Sequence, residues 1–165
     1  MKRHLPFLSV LCLLFLITSV VPAEAQRFIS KDYDKVLKEL KKYNPGNDST
    51  TVNFSSTENG IKMAVAGTRS QPVTFEYSFD TNKKCISEKI IANCDSCYKK
   101  YLNELLSKKK YGWVRLNENQ YISAYKWRLM IELPVSEEKT LFYNLLKVEW
   151  SKETYAILLD GSARK

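Results

Sequence analysis

Gln71-Pro72-Val73-Thr74-Phe75-Glu76-Tyr77-Ser78-Phe79-Asp80 is the stretch on which the fold turns. Val73, Phe75, Tyr77 and Phe79 fall on one side of an extended chain, and Thr74, Glu76, Ser78 and Asp80 on the other. That is the period of a strand with one buried face. The polar run Asp80 to Lys84 reads as a turn, and Cys85 to Ala92 as the next strand. Upstream, Val52 and Phe54 alternate with polar residues, Glu58-Asn59-Gly60 reads as a hairpin turn, and Ile61, Met63 and Val65 alternate again. Consecutive hairpins predict an antiparallel sheet.

Helical patterns flank these strands. Ser30 is a candidate cap for a helix running to Tyr43, with Tyr33, Val36, Leu37, Leu40 and Tyr43 on one stripe, stopped by Asn44-Pro45-Gly46. Asn93 is a candidate cap for a second helix to about Lys110, with Tyr98, Tyr101, Leu102, Leu105 and Leu106 on its apolar face. Beyond Gly112 the β pattern returns, and Tyr121, Tyr125, Trp127, Leu129, Ile131 and Leu133 share one parity. Glu137 to Val148 is open between a third helix and a two-sided buried strand. Tyr155 to Leu159 reads as a short closing strand. The predicted class is α+β, an antiparallel sheet packed with two amphipathic helices, or three if residues 137–148 are helical. Tyr33–Leu40 and Tyr98–Leu105 share five of eight residues. A duplicated helix-plus-strands unit accounts for this, as does convergence of amphipathic helices on Leu, Lys and Glu.

The first 25 residues read as a cleaved secretory signal: basic Lys2-Arg3-His4, an apolar run from Leu8 to Val21, and Ala23-Glu24-Ala25 before Gln26. This predicts export, to the periplasm or outside the cell, of one domain spanning residues 26–165. No later apolar run approaches the ~20 residues of a membrane span. The chain has one histidine, His4, which lies inside the signal. The exported part therefore lacks Ser-His-Asp and Cys-His nucleophilic machinery and His-containing zinc sites. Losing the signal removes two of the 26 basic and one of the 18 acidic residues, so the formal charge falls from +8 to +7. The surplus is mostly lysine, which argues against the Arg forks of specific nucleic-acid readout and leaves attraction to anionic surfaces.

Three cysteines remain: Cys85, Cys94 and Cys97. An extended Cys85–Ala92 spans about 23 Å, whereas a disulfide needs Cα atoms within about 7 Å. Unless that segment bends back, the intramolecular pair is Cys94–Cys97. A Cys-x-x-Cys on the first turn of a helix can be a redox dithiol, because the helix N-terminus stabilises a thiolate. However, the βα units that usually carry such a site are missing here. A structural bond at the helix start is the simpler reading. Three cysteines without histidine do not complete a tetrahedral zinc site, so no metal or cofactor is expected.

Glu76, Glu88, Glu132 and Glu149 are the carboxylates in strand-like surroundings, and alternation points such residues to solvent. A carboxylate-dependent hydrolase is accordingly the weakest functional class. Lys108-Lys109-Lys110-Tyr111-Gly112-Trp113 joins a positive helix end to aromatics and is the candidate ligand or partner contact. Lysines at a helix C-terminus also complement its dipole. The sequence points to an exported, non-catalytic binding domain whose partner is a protein or an anionic or saccharide component of the envelope. A thiol-disulfide accessory protein using Cys94 and Cys97 is the alternative.

Overall fold

A computed structural model describes residues 28–43, 50–67, 70–134 and 141–163. The signal at Met1–Ala25 and the stop at Asn44-Pro45-Gly46 lie outside these residues. In chain order come helix α1 (Tyr33–Lys41), strands β1 (Thr50–Ser56), β2 (Gly60–Gly67), β3 (Ser70–Phe79) and β4 (Cys85–Ala92), and helix α2 (Asp95–Leu106). Strands β5 (Trp113–Asn117), β6 (Gln120–Ser123), β7 (Leu129–Glu132) and β8 (Leu141–Lys147) follow, then helix α3 (Lys152–Ala163). Every pairing is antiparallel, in the order β1-β2-β3-β4-β8-β7-β6-β5. The class is α+β. A helix followed by four strands occurs twice, and the two four-stranded halves meet along β4 and β8.

The period-two pattern of β3 does what it predicts. Val73, Phe75, Tyr77 and Phe79 are all buried, and their rows extend across the sheet. One row is Met63, Phe75, Ile90 and Tyr143, and another is Ile61, Tyr77, Glu88, Leu145 and Ile131. Val36 and Leu40 of α1 and Leu105 of α2 close this face. Edge-to-face ring contacts fasten both helices to it: Tyr33 with Phe79, Tyr101 with Phe75 and Tyr98 with Tyr143.

Several local expectations are corrected. Ser30 does not cap α1. It holds φ at 70° and its N–H donates to the Cys85 carbonyl, while Cys85 N–H donates to Lys31 O. The chain from Phe28 to Lys31 is thus a strap paired with the start of β4, and Asp32 becomes the residue before the helix. Helix α2 is capped by Cys94, whose sulfur accepts the Cys97 N–H, rather than by Asn93, and it stops at Leu106 instead of Lys110.

The ambiguous stretch is strand β8 over Leu141–Lys147; residues 135–140 lie outside the description. Tyr155 to Leu159 is helical, not a closing strand. Ser151 Oγ accepts the Thr154 N–H at the start of α3, a serine cap ahead of this run. This third helix packs along β5, and Tyr155 Oη donates to Ser123 O. Val114, Ile122, Met130 and Leu146 share a row on the face away from Glu88 and Leu145, and Ile122 and Met130 in it are buried.

Glu88 is the largest departure. It lies inside the core at 1% exposure, between Tyr77 and Leu145 in the cross-sheet row. The sheet shifts register between Ser78 and Phe79, opposite the start of β4. The inserted residue lets Cys85 and Glu88, three apart, both face inward.

A candidate ligand groove beside the strap

The second half of the sheet does not run unbroken from Tyr121 to Leu133. Ser123 Oγ accepts the Lys126 N–H and donates to the Tyr111 carbonyl, turning the chain out of the sheet between β6 and β7. Tyr125 and Trp127, expected on the same strand face as Leu129, leave the sheet with it. They meet two other segments. From one side comes the α2–β5 connection with Lys110 and Tyr111, and from the other the strap with Ile29 and Ser30. Leu129, Leu145 and Lys147 supply the floor, on the face that carries α1 and α2. The resulting groove encloses about 690 Å³.

Its lining is basic and aromatic: Lys110, Lys126, Arg128 and Lys147 beside Tyr111, Tyr125 and Trp127. No carboxylate belongs to the lining among the described residues. Arg128 stacks on the Trp127 ring at 4.3 Å, and Lys110 Nζ stands 5.0 Å from the Tyr111 ring centre. At the rim Glu149 pairs with Arg128 at 3.2 Å and Lys147 at 3.7 Å. Among the described residues neither Lys110 nor Lys126 is in an ion pair. Tyr125 is 70% exposed, and one edge of its ring rests on Gly112.

Gly112 matters to this arrangement. Its φ is +55°, and a Cβ built there would lie 2.7 Å from Tyr125 Cε2. Gly112→Ala should therefore lower stability by about 1–2 kcal/mol from the left-handed conformation alone and drive the Tyr125 ring off its seat. Denaturant unfolding and the chemical shifts of the Tyr125 ring would register the two effects separately.

The candidate contact residues divide. Lys110 and Tyr111 line the groove. Trp113 does not; its indole N–H donates to Leu105 O at 2.9 Å and ties β5 to the end of α2. Lys109 is exposed outside the lining. Lys108 is half-buried, and burial with the neighbouring Lys110 charge lowers its pKa. Tyr125, Lys126, Trp127, Arg128 and Lys147 were missed by sequence reasoning. The run Tyr125-Lys126-Trp127-Arg128 contains no Gly or Pro to announce the turn.

Cys94 and Cys97 stand at bonding distance, S–S 2.03 Å and Cα–Cα 5.3 Å, at the start of α2. Cys85 is a buried free thiol, pushed up in pKa by burial and by the nearby Glu88. The four carboxylates do not converge. Glu76 pairs with Lys62 at 3.0 Å, Glu132 accepts from Asn144 at 3.4 Å, and Glu149 belongs to the groove rim. Glu76 and Glu132 share a face with β4 and β8 between them. Among the described residues no three His, Cys, Asp or Glu side chains gather as a metal site, and no helix is long and apolar enough to cross a membrane.

Protein-family models, curated proteins and solved structures contain no match to this chain.

Proposed function

We propose that this protein is an exported, non-catalytic binding domain whose groove takes an acidic saccharide of the cell envelope. The observation that carries the reading is the lining itself, four cations and three aromatic rings around a concave surface, with no carboxylate in that lining among the described residues. Sugar rings present apolar faces that lie on Tyr and Trp, while carboxylate or sulfate groups take charge-assisted hydrogen bonds from Lys and Arg. Concavity suits a chain laid into a groove better than a lipid surface, which would need protruding apolar side chains. The signal-like Met1–Ala25 supports export.

Among the described residues Lys110 and Lys126 are the lining cations outside any ion pair, and Tyr125 is the open stacking surface. Lys110→Glu combined with Lys126→Glu should weaken binding of polygalacturonate about 100-fold, two charge-assisted contacts at about 1.5 kcal/mol each. Tyr125→Ala should weaken it about tenfold without altering the salt dependence. Calorimetric titration reads both effects. Unchanged affinity in the double lysine variant would exclude the groove as the site.

A further inference from the structure

Between the groove and the core lies a buried acid that the binding reading does not use. Glu88 Oε1 accepts the Phe28 N–H at 2.6 Å and the Ile29 N–H at 2.9 Å. Those amides belong to the strap. Ile29 and the next residue, Ser30, form one wall of the groove, and Leu145, the cross-strand neighbour of Glu88, forms part of its floor. Phe28 is buried with its ring edge-on to Tyr77 at 5.5 Å, so the strap also covers the carboxyl.

We infer that Glu88 is the positioning residue of the groove's N-terminal wall, and that its protonation state decides whether the strap stays docked and the groove stays complete. This rests on the groove being the ligand site. The groups facing Glu88 are Tyr77 from β3, Cys85 from its own strand, Lys31 from the strap, and Lys108 and Tyr111 from the α2–β5 connection. Both lysines favour the charged carboxyl, but burial outweighs them, and Lys31 is itself paired with Glu39 at 3.2 Å. Its Oε2 and the Tyr77 hydroxyl have no hydrogen-bond partner among the described residues. As an uncharged acid Glu88 holds both amides through Oε1 and avoids the larger cost of burying a charge. Once ionised it gains most by being hydrated, and the cover that must move for hydration is the strap.

The direction follows from linkage. With the strap docked the carboxyl holds its proton up to about pH 8, against an ordinary value of 4.5. The equilibrium for strap opening should therefore rise about tenfold per pH unit between those values and level off above the higher one.

Hydrogen exchange at the Phe28 and Ile29 amides, corrected for intrinsic base catalysis, tests this without ligand. Wild-type protection should fall about tenfold per unit from pH 6 to pH 8. Glu88→Gln keeps an acceptor but cannot titrate, and its protection should be independent of pH. Glu88→Leu removes the acceptor, and protection should be low throughout. Polygalacturonate affinity in the wild type should weaken at the pH where exchange shows the strap mostly open, and stay level in Glu88→Gln. Flat wild-type protection, or an equal fall in Glu88→Gln, would overturn the inference, as would wild-type affinity that holds where exchange shows the strap mostly open. Predicted exchange with no polygalacturonate binding at any pH would leave Glu88's hold on the strap standing and refute the saccharide reading instead.

Discussion

Glu88→Gln is expected to reverse the order of stability between acidic and alkaline solution. In the wild type, burial raises the Glu88 carboxyl to about 8; its two strap amides, with Lys108 and Lys31, oppose that rise and are outweighed. The folded value lies above the unfolded one, so across pH 4.5 to 8 the folded protein keeps a proton that the unfolded chain releases. Stability from this group is complete below about pH 4.5 and falls by about 1.4 kcal/mol per pH unit through the window, with no further loss above about pH 8. The full span amounts to about 5 kcal/mol. Glutamine carries no such dependence. At pH 5 it should cost about 1–3 kcal/mol, because its amide N–H groups enter a site built for a carboxyl. At pH 8.5 it should be the more stable protein by about 1–3 kcal/mol. Urea unfolding of both proteins at the two pH values measures the crossing; parallel curves would show that the carboxyl is not held neutral.

Leu145→Ala should produce the second large loss. Leu145 is fully buried on β8, between Glu88 of β4 and Ile131 of β7, at the seam where the two halves of the sheet join. Truncation removes transfer energy and leaves a cavity that a hydrogen-bonded sheet cannot collapse around. The expected cost is about 3 kcal/mol, which for a protein of this size lowers Tm by roughly 10 °C. Leu146→Ala is the control. Its side chain lies on the other face and is partly exposed, so it should cost about half as much. Equal losses would mean that the seam is not where cohesion is concentrated. Leu145 is also groove floor, so its truncation should weaken ligand binding, whereas that of Leu146 should not.

These two positions show how far the sequence could be read. The rows built on Val73, Phe75, Tyr77 and Phe79 were legible because strand alternation needs only local information. Glu88 was legible in part: Ile90 and Ala92 share its parity, a signal that it faces inward. It was hidden by the general preference of carboxylates for water and by the register shift near Cys85. The groove was less accessible. Lys110 and Tyr111 stood out as a cation–aromatic run. Tyr125, Lys126, Trp127 and Arg128 reach the same place through a turn made by the Ser123 hydroxyl and the Tyr111 carbonyl, 12 residues apart. Ile29 and Ser30 reach it because a buried acid 59 residues from Ile29 holds the strap. Such long-range hydrogen bonds leave no periodicity. The short apolar run Tyr155–Leu159 reads as a strand on its own, and the Ser151 cap that opens a helix there carries the opposite signal.

Titration of the wild-type protein with polygalacturonate and with its fully methyl-esterified form tests the groove most directly. The two polymers share a backbone and differ in charge. The acidic polymer should bind, with affinity falling as salt is added, and the esterified one should bind at least tenfold more weakly. Equal affinity for both, or no binding of the acidic polymer at low salt and pH 6, would contradict a groove built for an acidic saccharide.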